Sequence, residues 1–454
     1  MNKKIIGISI VIFFNGNSVY AQSIHGLSVE LYGILDVAIG TVHRSLSGSP
    51  YFSGTVNPVS ATHSVVNHSV TGIFNGGISP SRWGIRGAED MGGGLKAIFT
   101  LESGINVPTG SLSNAAQSLA DNRNATSGTV STASSVNGQM FGRQAFVGLS
   151  ENTLGQITVG RNYAPIYDIA IAYDPVQDAQ LFSPLGFSGT YGGGGGVTEN
   201  LRQNNSIKYK NKYADFNFGA MYKFGGVAGS TWAGSGYAFF GGYEAHHFGI
   251  QAAYQANKDA LSETNSATAG NVNVTNFDTT AYMIAAKYAF GATTIRGGFE
   301  RFTLKQPSDS LVSFSSGSIN GFPIGNLPTT AKCTETNTAD FCSPDRTTNI
   351  MWIGGDYNFT PAFNVALAFY NIAPRASADY AVSSAGKVTG QGSGHIYEYS
   401  VIADYHFSKS TDAYAGLMYS RYEGNNYPNN AAYTSNNNFN PSNTIFAIGW
   451  RAKF

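Results

Sequence analysis

Along most of this chain apolar and polar residues alternate one by one, the period of a strand whose two faces meet different surroundings. In the last stretch, SNTIFAIGWRAKF (442–454), Phe446, Ile448, Trp450, Ala452 and Phe454 share one parity and Ala447, Gly449, Arg451 and Lys453 the other. Near the start, Val29, Leu31, Leu35, Val37 and Ile39 alternate with Glu30, Tyr32, Ile34, Asp36 and Ala38. The pattern predicts sixteen strands, near 28–41, 81–90, 94–104, 138–150, 155–162, 201–211, 214–224, 236–245, 247–256, 277–290, 293–304, 347–358, 362–373, 395–408, 411–423 and 442–454. Each is close to the length of about ten residues that a tilted strand needs to cross a bilayer. The contrast is weaker at 363–369 and 411–423, as expected where a wall faces lipid, a neighbouring subunit or a loop.

The connections alternate strictly between short and long. Short ones include Met91–Gly93, Glu151–Leu154, Asn211–Tyr213, Gly291–Ala292, Thr360–Pro361 and Lys409–Ser410. Long ones, rich in Ser, Thr, Asn and Gly, run near 42–80, 105–137, 163–200, 225–235, 257–276, 305–346, 374–394 and 424–441. A sandwich has no cause to keep this rhythm, whereas an outer-membrane barrel has tight turns at one end and long loops at the other. The expected fold is therefore all-β: a sixteen-stranded antiparallel transmembrane β-barrel with short periplasmic turns and long extracellular loops.

Composition supports that reading. Of 454 residues, 55 are Gly and 13% are aromatic, while only 12% are charged, about half the usual share. Net charge is zero, so nothing steers a nucleic acid. Asn2-Lys3-Lys4, the apolar run Ile5 to Phe14 and the small residue closing Val19-Tyr20-Ala21 form a secretory signal peptide, expected to span 1–21 and leave 22–454 as the barrel domain. Cys333 and Cys342 lie in a polar, Pro-bearing loop without a nearby His; in an exported protein a local disulfide is expected there rather than a zinc site.

Enzyme chemistry finds no anchor. The eight His are scattered, with His246-His247 in an expected tight turn, and no Gly-x-Ser-x-Gly elbow occurs. Gly192 to Gly196 lacks the Lys-Ser/Thr of a phosphate loop. No cofactor or metal is expected. The informative charges lie on strands: Arg82 and Arg86 on one parity opposite Trp83 and Ile85, Arg143, Arg202, and Glu102 on the parity of Lys96, Ile98 and Thr100. A charge at the lipid midplane costs about 2–4 kcal/mol, so these side chains are expected in the lumen. The long third loop carries Asp168, Asp174 and Asp178. Two readings follow: a salt-bridge ladder that braces the wall, or, with that loop folded inward, opposed charge rows that sort solutes.

At this point the chain resembles the Gram-negative general porins, particularly those of beta-proteobacteria. The stretches that carry the resemblance are SVELYGILDVAIG (28–40), SRWGIRGAEDMGGGLKAIFTLESG (81–104), GRQAFVGLS (142–150), GQITVGRNYAPIYDIAIAYD (155–174), RQNNSIKY (202–209) and FAIGWRAKF (446–454). The resemblance implies a homotrimer in outer-membrane lipid and lipopolysaccharide, a third loop folded into the lumen, and passive diffusion of ions and small hydrophilic solutes. It implies a constriction of Arg82, Arg143 and Arg202 against Glu102, Asp174 and Asp178, which strand parity extends to Arg86, with Arg161 at the loop base. Phe454 resembles the signal read by the outer-membrane assembly machinery. The outward faces of the first strands, with Trp83, Ile85 and Phe146, are expected near a subunit interface. The chain departs from the enterobacterial pattern at Pro175-Val176-Gln177-Asp178, where a proline-glutamate-phenylalanine-glycine tip would stand, and at Ile34, a lysine in some members. Both departures leave the ion preference of the eyelet open. A substrate-specific channel and a barrel-anchored adhesin are the rival readings; loops of only tens of residues weigh against the second.

Overall fold

A computed structural model of the chain describes residues 26–44, 68–112, 140–185, 201–226, 231–232, 234–258, 262–265, 272–275, 278–305, 318–319, 322–323, 346–375, 380–382, 386–388, 393–424 and 442–454. Residues 1–21, Cys333 and Cys342 lie outside them, so the expected signal peptide and disulfide do too.

The first eight barrel strands are β1 (Leu27–Arg44), β2 (Arg82–Gly92), β3 (Leu95–Asn106), β4 (Gln144–Glu151), β5 (Gly155–Tyr163), β6 (Arg202–Tyr213), β7 (Phe216–Lys223) and β8 (Gly236–Ala245). The second eight are β9 (Phe248–Asn257), β10 (Asp278–Phe290), β11 (Thr293–Lys305), β12 (Arg346–Thr360), β13 (Phe363–Pro374), β14 (Gly394–His406), β15 (Thr411–Gly424) and β16 (Ser442–Lys453). Each pairs antiparallel with the next, and β1 pairs with β16 from Ile34↔Lys453 to Arg44↔Asn443, closing the barrel. Closure satisfies the strand N–H and C=O groups within the wall, as lipid requires. Single-residue alternation puts Leu31, Ile39, Val147, Phe239, Ile284, Ile353, Leu367 and Ile448 on the outside, all exposed. In water that band would be a large apolar patch; facing acyl chains it is well solvated.

The first expected loop is shorter than its sequence suggests. His68–Asn75 forms a strand beside the upper half of β1 (Arg44↔His68 to Val37↔Asn75), and β2 pairs with the lower half (Ile34↔Arg82 to Leu27↔Glu89). Between them the chain bulges inward at 76–81. Asp36, fully buried, holds the bulge by accepting the N–H groups of Gly77 (2.9 Å), Ile78 (3.2 Å) and Ser79 (2.7 Å) and the hydroxyl of Tyr414. The fourth strand begins at Gln144 rather than near 138.

The structure also corrects the placement of Phe146. It pairs with Thr100 and Gly160, and Thr100 pairs with Arg86, so Phe146 faces the lumen while Val147 and Leu149 face outward. The inward parity is Gln144, Phe146, Gly148 and Ser150 and the outward one Ala145, Val147, Leu149 and Glu151, so Phe146 is the one large apolar residue on a polar face and its own type does not report its side.

The lumen has two unlike sides. From β7 to β13 its wall offers Met221, Ala238, Ala253, Ala281, Met283, Ala285, Ala368 and Tyr370, all buried. They are covered by the segment after β5, which enters the barrel as α1 (Pro165–Tyr173) and contacts β7 to β11. Proline at the helix start removes an N–H that would lack a partner, and Asp174, preceding Pro175, leaves the helical region. Ile166, Ile169, Ala170, Tyr173, Val176, Phe182 and Leu185 from this segment complete one apolar cluster with the wall. Packed side chains thus fill the lumen beside β7–β13, and a cavity remains against β1–β4.

Candidate pore constriction

Arg82 and Arg86 reach the lumen because β2 alternates. Arg86 donates through Nε to Glu30 Oε2 (2.7 Å) and lies over the Tyr32 ring, 5.0 Å from its centroid. Four residues earlier, Arg82 donates to the carbonyl of Pro80 (3.2 Å), within the inward bulge.

Glu102 of β3 sits at the centre of a buried knot. Its Oε1 accepts from Arg143 Nε (2.7 Å) and the Tyr163 hydroxyl (2.6 Å). Its Oε2 accepts from the Tyr32 hydroxyl (2.9 Å) and lies 3.8 Å from Arg82 Nε. Arg143, immediately before β4, is as deeply buried as Glu102 and stacks over the Tyr163 ring at 5.6 Å. Each charge is neutralised and hydrogen-bonded, the condition for burying it at all.

The inserted segment is tied around the lumen. Asp168 pairs with Lys208 of β6, whose Nζ also donates to the Tyr163 carbonyl (2.8 Å). Trp352 Nε1 of β12 donates to the Tyr173 carbonyl (3.0 Å), and the hydroxyl of Tyr370 of β13 donates to Asp174. Asp174 Oδ2 also accepts the Asp178 N–H (2.7 Å). Asp174 has no exposed surface, and burial pushes its carboxyl up to about 6 against the opposing pull of these donors. Asp178 is 4% exposed and accepts the Tyr167 hydroxyl on Oδ2 (3.1 Å); burial first, then the neighbouring Asp174, raises its carboxyl further. Its Oδ1 is buried without a hydrogen-bond partner among the described residues. Gln177 and Asp178 both hold left-handed backbone, φ 57° and 62°, which side-chained residues adopt at some cost.

Of the residues singled out in the sequence, Arg82, Arg86, Glu102, Arg143 and Asp178 surround one cavity of about 430 Å³. Asp174 is turned away onto Tyr370 of the far wall. Arg202 opens β6 opposite Tyr163, outside the cavity lining, with its buried Nε unpartnered among the described residues. Arg161 donates to Gly142 O (2.8 Å) and to Asn204, bracing the loop base. Sequence reasoning missed the tyrosines that complete the site. Tyr32 shares the inward parity of Glu30 and was legible; Tyr163, Tyr167 and Tyr370 meet their partners only through tertiary folding. One further group of possible metal ligands among the described residues, Asp404, His406 and Asp412, lies at the short-turn end. Arg451 (2.8 Å to Asp412, 3.3 Å to Asp404) and Lys453 (3.3 Å to Asp412) already neutralise it.

A closed barrel with a lipid-facing exterior, an inserted loop and fixed charges beside the remaining gap is a membrane channel. The chain matches the family of Gram-negative porins over residues 9–425 and belongs to that family, which places it in the outer membrane. An outer-membrane porin of Bordetella pertussis is 34% identical over 203 residues, 43% of this chain and 43% of the relative. Outer membrane porin protein 32 of Delftia acidovorans is 27% identical over 307 residues, 67% of this chain and 71% of the relative. Among solved structures, the anion-selective porin from Comamonas acidovorans shares the fold with a TM-score of 0.59 at 18% identity, covering 94% of this chain and 100% of its own.

Proposed function

We propose that the protein forms a homotrimeric, water-filled diffusion channel for ions and small hydrophilic solutes, with a preference for anions. The observation that carries this is an asymmetry of exposure. The side chains of Arg82 and Arg86 are 25% and 56% exposed, whereas that of Glu102 is 5% exposed. Asp174 and Asp178 are withdrawn as residues to 0% and 4%. Arg82 and Arg86 face the passage, Arg86 beside its partner Glu30 (24% exposed), while Glu102, Asp174 and Asp178 are spent on the knot and on anchoring the loop. Unit charges about 4 Å apart interact by roughly 1 kcal/mol in water and about 4 kcal/mol at an effective dielectric of 20. An exposed arginine therefore enriches anions several-fold yet still releases them, as conduction requires.

A trimer is supported by the outer surface. In chain order, no exposed large hydrophobic residue before Tyr213 is aromatic among the described residues; from Tyr213 to Phe454 aromatics predominate. The aromatic girdle of a lipid-facing barrel is thus interrupted over β1–β5, consistent with protein contact there through Val147 and Val159. On this reading residues 1–21 are removed on export, Cys333 and Cys342 oxidise to a local disulfide, lipopolysaccharide covers the remaining outer surface, and Phe454 serves the assembly machinery.

Proteoliposomes holding the purified trimer test the proposal. They should admit a small anionic solute faster than a cationic one of equal size, and either faster than a neutral solute about twice as large. Equal rates for both charges, or an influx that saturates at low solute concentration, would overturn it.

A further inference from the structure

The cavity beside Arg82 is more than a gap between charges. Its lining includes Ile34, Ile78, Pro80 and Ile171 together with the two arginines. Ile171 stands out on α1. The helix buries Ile166, Ile169, Ala170 and Tyr173 against the far wall, yet leaves Ile171 38% exposed on the side facing the passage. A route for hydrated ions alone gives no reason for an apolar patch beside its arginines. The same cavity receives buried Asp178, whose Oδ1 has no hydrogen-bond partner among the described residues. Arg82 makes one hydrogen bond, to the Pro80 carbonyl, and a 3.8 Å ion pair with Glu102, and its side chain, 25% exposed, keeps further N–H donors for a ligand. At about 430 Å³ the cavity lies within the usual range of small-molecule sites, roughly 300–1,000 Å³.

We infer that this cavity is a recognition subsite for small monocarboxylates with a branched or aromatic body: the carboxylate meets Arg82 and Arg86, and the body lies on Ile34, Ile78, Pro80 and Ile171. The inference rests on the anion-preferring channel proposed above and names the class of anion that it retains longest. Asp178, whose carboxyl is raised by burial and by the neighbouring acid Asp174, brings its unpartnered Oδ1 to the same cavity. Occupancy is brief, because the site has to release its ligand to either compartment.

The test uses the full-length trimer in planar bilayers bathed in KCl, with sodium benzoate or sodium acetate as the probe. Benzoate should halve the chloride current at a concentration about tenfold lower than acetate, from burial of its ring. Neutral benzyl alcohol should not reduce the current. Ile171→Asn should bring the benzoate concentration up to that of acetate. Equal potency of benzoate and acetate in the wild type, a comparison that depends on no variant, would overturn the inference, as would an equal block by benzyl alcohol. The zero-current potential in a KCl gradient separates the two readings. A cation-preferring sign removes the proposed function itself, whereas an anion-preferring channel indifferent to the ring removes only the subsite.

Discussion

Glu102→Gln isolates the charge at the centre of the knot without disturbing its shape. The glutamine Oε1 can still accept from Arg143 and Tyr163, and its Nε2 can donate to the Tyr32 hydroxyl, which serves equally as acceptor. What is lost is the carboxylate charge, leaving Arg143, 4% exposed, as an uncompensated buried cation. Removing one partner of a buried pair costs about 3–5 kcal/mol; Arg143→Gln should cost the lower end of that, because Glu102 keeps the hydroxyls of Tyr32 and Tyr163 and the 3.8 Å pair with Arg82. The double variant strands neither charge, so its loss should be smaller than that of either single change. Unfolding in urea, followed by tryptophan fluorescence in detergent, gives the three free energies. Losses that add to within about 0.5 kcal/mol would show that the two charges do not depend on each other and would refute the knot. Selectivity supplies an independent reading: Glu102→Gln should strengthen anion preference, and Arg143→Gln should weaken it.

Three further predictions follow from other parts of the molecule. Asp174 has a folded carboxyl raised by burial, so the folded state binds the extra proton; docking of the inserted loop should gain on the order of 1–3 kcal/mol as pH falls from about 6 to about 4, and lose it as pH rises through about 6. Single-channel current should be quieter near pH 4.5 than near pH 7.5, and Asp174→Asn should reduce the contrast, leaving the share of Asp178. Gly33 exchanges backbone hydrogen bonds with Phe454 (2.8 and 3.1 Å), and a Cβ there would lie 2.4 Å from the Phe454 ring; Gly33→Ala, like deletion of Phe454, should sharply lower the yield of assembled trimer, and a normal yield would contradict this. Val147→Lys combined with Val159→Lys should convert trimer to monomer on unheated electrophoresis, whereas Ile353→Lys, beyond the aromatic gap, should impair insertion without that shift.

The wall was legible because a strand between two solvents writes its two faces into alternate residues, and because short turns and long loops keep strict order. All sixteen strands lie close to where alternation placed them. The inward bulge at 76–81 was not legible, since it depends on Asp36 meeting three N–H groups some forty residues away and a tyrosine at 414. Phe146 was misoriented for a simpler reason: it is a large apolar residue on the otherwise polar, lumen-facing parity of its strand. Within the site, charge placed on strands identified Arg82, Arg86, Glu102 and Arg143, and the acids of the third loop together with the family resemblance identified Asp178; the fold gathers these five around one cavity. What parity does not convey is which charges remain exposed. Tyr163, close to Arg143, and Tyr370, from the opposite wall, supply the hydroxyls that let Glu102 and Asp174 be buried. On the reading proposed above, that withdrawal of acids sets the sign of the field in the passage, and no local pattern announces it.

The most direct measurement is the zero-current potential of the wild-type trimer in a planar bilayer separating about 0.01 and 0.1 M KCl, where the screening length is about 30 to 10 Å and fixed charges act at full reach. Exposed Arg82 and Arg86 with withdrawn acids predict a potential of the sign set by chloride, diminishing when both solutions are raised towards 1 M. A potential near zero at low salt, or one of the sign set by potassium, would contradict the account.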